Sequence, residues 1–137
     1  MLSRRADVFF YGLFMDQDLL RGKGLTPEAA EIASVGGYAL RIGQRAALVP
    51  QASGVVHGVV MSLALSELDR LYSEPGLQGY TPEAVMARLA SGGTIAALCY
   101  NLVEPPSPAE HNPDYATKLQ AVARKVGLPA GYVASLA

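Results

Sequence analysis

Residues 54–63, "GVVHGVVMSL", limit the fold most, because apolar side chains stand at consecutive positions along the segment. A strand points successive side chains to opposite faces of its sheet, so this run needs apolar cover on both faces. The apolar stretch around it is too short to cross a bilayer and contains His57 and Ser62. It therefore predicts a central strand of a covered sheet rather than a membrane helix.

Further strand signals lie on both sides of this segment. Residues 8–11 are a short apolar run, and residues 38–42 alternate between large apolar and other side chains. The stretches "YTPEAVMARL" and "TIAALCYNLV" are joined by "ASGG", which is typical of a hairpin whose glycines adopt positive φ. We therefore expect a sheet of several strands that includes one tight hairpin.

Helix signals are fewer and weaker in the first two thirds of the chain. Residues 15–21 predict one or two helical turns closed by Gly22, whose missing side chain suits a left-handed cap. Thr26 and Pro27 form a possible N-cap and first helical residue, and Ser66 is a possible N-cap for "SELDRLY". In that last segment Leu65, Leu68 and Tyr72 form one apolar stripe.

A stronger helix signal follows the proline-rich segment "EPPSPAEHNP". Asn112 and Pro113 start the helix, an apolar stripe of Tyr115, Leu119, Val122 and Val126 follows, and "GLP" ends it. Strands in the middle, with helices inserted or terminal, predict an α+β fold with a mostly antiparallel sheet that can curl into a barrel.

Composition narrows the function classes. With 137 residues, half of them hydrophobic, the chain fits a single domain over residues 1–137. A net charge of −1 with scattered basic residues disfavours nucleic acid as a partner. One cysteine, Cys99, permits no internal disulfide, and Asp7 interrupts the start of the chain where a signal peptide would continue; we therefore expect mature sequence in the cytoplasm.

Several kinds of chemistry lack their residues. His57 and His111, the only histidines, have no cysteine or carboxylate at metal-ligand spacing, so we expect no metal. The segment "RGKGL" lacks the spacing and the hydroxyl residue of a phosphate loop. No Gly-x-Ser-x-Gly elbow occurs. These absences predict a protein without a cofactor and without a nucleophilic triad.

The order of segments along nearly the whole chain resembles the gamma-glutamylcyclotransferase-like family. The segments are "VFFYGLFM", "GVVHGVVMSL", "LSELDRLYSE", "GYTPEAV", "ALCYNL" and the tail "YATKLQAVARKVGLPAGYVASL". The resemblance implies a small mixed β-barrel with a cavity and a few short flanking helices. It also implies cyclisation of a small-molecule gamma-glutamyl substrate to 5-oxoproline, with release of an amine.

The resemblance also implies a set of site residues. The substrate-binding residues would be Tyr11, Gly12, Leu13, Phe14, Tyr72 and Tyr80. If the chain turns at Gly12, the amides of residues 12–14 can face the cavity and hold the substrate's carboxylate without a basic side chain. A single carboxylate would then move the proton from the attacking nitrogen to the departing amine.

The sequence departs from the family pattern at that carboxylate. Catalytic members carry the acid in a short Glu-Gly step after the Leu-Asp pair, whereas Tyr72 stands there in this chain and Glu74 follows two residues later. Leu13 also replaces a frequent Ser or Thr. Two hypotheses stay open: a cyclotransferase with Glu74 as the catalytic residue, or a binding module that has lost the acid and places Tyr72 in its cavity wall. In the second case Glu74 is a solvated loop carboxylate.

Overall fold

Five strands form a closed barrel in the computed structural model, which describes residues 4–136. The strands are β1 (Arg5–Phe10), β2 (Glu28–Ile42), β3 (Ala46–Ala64), β4 (Tyr80–Leu89) and β5 (Thr94–Leu102). Their order around the barrel is β1-β3-β2-β4-β5. β1 and β5 pair in parallel and the other neighbours pair antiparallel, which confirms the predicted α+β fold with a mixed, mostly antiparallel barrel.

The alternation of side chains along β1 separates two apolar cores. Val8 and Phe10 face outward and pack with Met61 of β3, while Phe9 faces the barrel interior and packs with Val60. The outer core is completed by helices, and the inner core is closed by the barrel itself. β3 is therefore covered on both faces, as its apolar sequence predicts.

The helices lie outside the barrel. They are α1 (Gln17–Gly22), α2 (Leu65–Leu71), α3 (Pro113–Val126) and α4 (Ala130–Ser135). α3 begins as predicted: the Asn112 side chain accepts a hydrogen bond from the Tyr115 amide, and Gly127 ends the helix in the left-handed conformation. Leu119 is fully buried against the outer core. No helix in residues 4–136 is long and apolar enough to cross a membrane.

Three predictions about helix ends are wrong. Gly22 is the last residue of α1 but is not its left-handed cap, because the positive φ, 85°, belongs to Gly24. Thr26 does not begin a helix, because its amide and hydroxyl both donate to Glu67 Oε2 and the chain continues into β2. Ser66 lies inside α2, whose N-cap is Ala64. The Glu67 carboxylate explains both of the last two differences. Its Oε2 accepts the hydrogen bonds from Thr26, and its Oε1 accepts a hydrogen bond from the Ala64 amide at 3.0 Å.

The predicted hairpin is confirmed. β4 and β5 pair antiparallel from Tyr80 opposite Leu102 to Arg88 opposite Thr94. Gly92 and Gly93 in the turn have φ of 105° and 81°, values that side chains other than glycine rarely adopt. The hairpin brings Tyr80 and Tyr100 to the same end of the barrel, beside the end of β1.

Candidate functional site

An aromatic cavity of about 180 Å³ lies where β1 ends and the chain turns into α1. All three phenylalanines of the chain and five of its seven tyrosines line it. The aromatic lining residues are Phe9, Phe10, Tyr11, Phe14, Tyr72, Tyr80, Tyr100 and Tyr115, and the others are Gly12, Leu13, Gln44, Arg45, Ala46 and Leu77. This concentration of the chain's few aromatic residues distinguishes the cavity from the rest of the surface.

A larger and more open groove of about 580 Å³ lies between the β2–β3 hairpin and α4. Tyr38, Val55 and Tyr132 are among its lining residues, and none of its lining residues within 4–136 is charged. The turn after β1 has no part in this groove. The aromatic cavity is therefore the candidate site.

The Tyr-Gly loop (residues 11–14) forms one wall of the cavity. Gly12 is extended and precedes a single 3₁₀ turn at Leu13–Met15. Within residues 4–136, the amides of Gly12, Leu13 and Phe14 donate to no backbone carbonyl. The amides of these three lining residues therefore have no backbone partner there, and the Leu13 amide is bonded to the Tyr115 hydroxyl. The helical turn that follows Gly12 is a three-residue 3₁₀ turn rather than the start of a longer helix.

Tyr115 reaches from α3 to this loop. A methyl group placed on Gly12 would lie 2.7 Å from Tyr115 Oη, so the phenol occupies the space that a side chain would need. Burial, with a smaller contribution from Tyr80, raises the pKa of Tyr115 to about 12, against the opposing effect of a hydrogen bond from the Leu13 backbone. The hydroxyl therefore stays protonated at neutral pH and can donate a hydrogen bond.

Stacked tyrosines form a second wall. The rings of Tyr72 and Tyr100 are 3.9 Å apart between centroids and nearly parallel, and Phe14 packs edge-on against Tyr72 at 6.1 Å. Burial holds the pKa of Tyr72 well above its usual value. Tyr80 Oη donates to the Ala46 carbonyl at 2.6 Å. These phenols are neutral at physiological pH, so the wall offers aromatic faces and hydroxyl groups but no negative charge.

Asn101 does not line the cavity, but its side chain lies beside Tyr11, which does. Its side chain is bonded on both sides to Leu48, with the Leu48 amide donating to Oδ1 at 2.8 Å and Nδ2 donating to the Leu48 carbonyl at 2.9 Å. Tyr11 Oη donates to the Tyr100 carbonyl at 2.9 Å and lies 3.4 Å from Asn101 Oδ1. Because buried polar groups are costly unless paired, this network locks the end of β1 to β5 and positions the Tyr-Gly loop.

Glu74 does not line the cavity. Lys23 Nζ donates to Glu74 Oε1 at 2.8 Å, and both side chains are about a third exposed. Tyr72 contributes to the cavity wall instead, at the end of α2. The other predicted substrate-binding residues, Tyr11, Gly12, Leu13, Phe14 and Tyr80, all lie in the lining. No carboxylate is among the lining residues in the described part of the chain.

Sequence reasoning missed eight of the fourteen lining residues, and three of these, Tyr115, Tyr100 and Arg45, bear directly on the chemistry of the site. Tyr115 belongs to the apolar stripe of α3, so its hydroxyl looks incidental until the fold brings it to Gly12. Tyr100 lies on β5 opposite Pro82 and faces away from the barrel interior. Arg45 is an isolated basic residue before β3, and no local pattern marks it.

The comparisons with known proteins agree with this architecture. The family model "Gamma-glutamyl cyclotransferase, AIG2-like" matches residues 8–118, which include the Tyr-Gly loop and Tyr115. The chain therefore belongs to the gamma-glutamyl cyclotransferase, AIG2-like family. No curated protein sequence matches it.

Solved structures share the fold at low sequence identity. A gamma-glutamyl cyclotransferase superposes with a TM-score of 0.80 at 21% identity, over 97% of this chain and 86% of that one. The human protein loc79017 superposes with a TM-score of 0.79 at 22% identity, over 96% of this chain and 86% of that one. YkqA from Bacillus subtilis superposes with a TM-score of 0.78 at 20% identity; the match covers 97% of this chain but only 53% of YkqA.

Proposed function

We propose that the protein cyclises a gamma-glutamyl amine or gamma-glutamyl amino acid to 5-oxoproline and releases the amine. The observation that carries the proposal is the cavity beside three loop amides that donate to no backbone carbonyl within residues 4–136, in the segment that the family model matches. The amides of Gly12, Leu13 and Phe14 donate hydrogen bonds to the substrate's α-carboxylate. The protonated Tyr115 hydroxyl, next to Gly12, adds a donor at the same place.

The reaction needs positioning and one proton acceptor. The substrate's α-ammonium loses one proton and its nitrogen attacks the gamma-carbonyl carbon. That nitrogen loses a second proton as the bond to the leaving amine breaks and the lactam forms, and the leaving amine takes up both protons and departs as an ammonium. Nucleophile and carbonyl belong to one molecule, and well-oriented intramolecular attack can reach effective molarities of about 10⁵ M or more. The aromatic walls hold the glutamyl chain in a folded conformation and exclude water from it.

Glu74 is the residue that we assign to the proton transfer. It lies in the segment between Tyr72 and Leu77, both of which line the cavity, and this segment contains Gly76 with φ of 88°. To reach the substrate, Glu74 leaves Lys23. Exposed ion pairs contribute only about 0–1 kcal/mol, so substrate binding can supply the energy for this exchange.

A second function, binding without catalysis, is favoured by one specific observation. Tyr72 occupies the wall where family members carry the acid, and its ring is stacked on Tyr100. In that case the cavity binds gamma-glutamyl compounds through the Tyr-Gly loop, and Glu74 remains paired with Lys23 at the surface.

The two functions are separated by incubating the pure protein with a panel of gamma-glutamyl amines and amino acids. We expect 5-oxoproline and free amine in equal amounts, measured by mass spectrometry against a no-protein control. Saturable binding by calorimetry without any product would establish the binding module. Neither binding nor product across the panel would contradict both functions.

A further inference from the structure

Arg45 is the one charged side chain among the lining residues of the aromatic cavity in the described part of the chain. It directly precedes β3, at the end of the turn that connects β2 to β3. With neutral tyrosines around it and no carboxylate in the lining, its positive charge is not compensated within the cavity. Such an environment favours an anionic group on the bound molecule.

The guanidinium is held in place by the loop that follows α2. Arg45 Nη1 donates to the carbonyl oxygens of Gln78 and of Gly76, the latter at 3.5 Å. Its Cζ lies 5.6 Å from the centroid of the Tyr80 ring, within the range of a cation–π contact. A positioned guanidinium loses less conformational entropy on binding than a free one, so Arg45 is prepared for a ligand.

Arg45 retains donors for that ligand. A guanidinium carries five N–H groups, and both loop carbonyls accept from the Nη1 nitrogen alone. Arg45 takes part in none of the ion pairs found within residues 4–136. The remaining N–H groups can therefore form the paired hydrogen bonds that match a carboxylate.

We infer that Arg45 is a specificity-determining residue that binds a carboxylate on the leaving group. This inference rests on the proposed function, in which the loop amides bind the α-carboxylate of the glutamyl group. A second carboxylate, carried by the leaving amine, is then left for Arg45. The preferred substrates are gamma-glutamyl amino acids, and gamma-glutamyl amines that lack this carboxylate bind more weakly.

Two probe compounds isolate the carboxylate. Gamma-glutamylalanine and gamma-glutamylethylamine differ only in the carboxylate of the leaving group. We expect the wild-type protein to bind the alanine compound at least about tenfold more tightly by calorimetry, a factor that corresponds to about 1.4 kcal/mol. The preference should shrink as ionic strength rises, because salt screens the charge of a partly exposed Arg45.

Arg45→Gln should abolish the preference, because it lowers the affinity for the alanine compound about tenfold and leaves the affinity for the ethylamine compound unchanged. Arg45→Lys, which keeps the charge without the planar fork, should retain part of it. Arg41→Gln is the matched control, since Arg41 lies near the same turn but donates to the Pro106 carbonyl and does not line the cavity. Unchanged affinity for the ethylamine compound shows that a variant is folded.

The outcomes separate this inference from the proposed function. A wild-type preference that Arg45→Gln removes supports the inference even if no 5-oxoproline forms, in which case only catalysis is contradicted. Equal binding of both compounds by the wild type contradicts the role of Arg45 and leaves the proposed function intact. If Arg45→Gln lowers the affinity for both compounds equally, Arg45 binds the glutamyl group that they share, and the inference is also overturned. No binding of either compound overturns both.

Discussion

Glu74→Gln should lower the rate of 5-oxoproline formation by about 10² to 10⁴-fold, the usual contribution of general acid–base catalysis. Glutamine keeps the shape of the side chain but cannot accept the ammonium proton. The loss should appear in kcat, because the proton moves in the chemical step and the loop amides still bind the substrate. Steady-state kinetics of product formation measure this effect directly.

Glu28→Gln provides the control for this prediction. Glu28 Oε2 lies 3.6 Å from Arg5 Nε, so it resembles Glu74 in forming an ion pair, but it does not line the cavity. Its substitution should leave the rate unchanged. A wild type that turns over and a Glu74→Gln variant that keeps its rate would contradict the assignment of Glu74. Glu83, which lies 3.4 Å from Asn101 Nδ2 through its Oε1, would then be the next candidate.

Gly12→Ala should destabilise the protein by about 1–3 kcal/mol, the usual cost of overpacking a filled site, and should weaken ligand binding. The added methyl group would meet Tyr115 Oη at 2.7 Å, and Tyr115 belongs to α3 and packs against the outer core, so either the phenol or the Tyr-Gly loop must move. Thermal or chemical denaturation measures the first effect, and calorimetry with a gamma-glutamyl compound measures the second.

The Tyr115→Phe background tests the cause, because it removes the hydroxyl that the methyl group meets. Gly12→Ala should cost clearly less stability in that background than in the wild type. Gly22→Ala is the matched control: within residues 4–136 and apart from the adjacent residues and backbone of its own helix, no atom lies within 4 Å of the added methyl group, and alanine favours the helix α1. Equal costs of Gly12→Ala in both backgrounds would mean that Tyr115 does not constrain the loop.

The fold was largely predictable because its strongest signals are local. Residues 54–63 are apolar on both faces, and the structure covers both faces of β3. The "ASGG" hairpin and the Asn112 cap depend on neighbouring residues only, and both are confirmed. β2 was predicted only in part, because residues 28–37 become a strand by pairing with β3 and have no clear alternation of their own.

The site was predictable only where the chain itself forms it. The Tyr-Gly loop lies in one short segment, so its amides could be expected at a cavity. Tyr115 and Arg45 reach the same cavity from positions far apart in the sequence, which no local pattern reveals. The place of Glu74 depends on Lys23, 51 residues earlier, and this contact follows from the tertiary fold alone.

The position of a bound gamma-glutamyl compound tests the central claim most directly. A crystal structure with gamma-glutamylalanine, soaked into the Glu74→Gln variant to prevent turnover, should show the α-carboxylate within about 2.7–3.2 Å of the amides of residues 12–14. The ligand's glutamyl chain should lie against Tyr72 and Tyr100. A ligand bound in the groove between the β2–β3 hairpin and α4, with the aromatic cavity empty, would contradict the account.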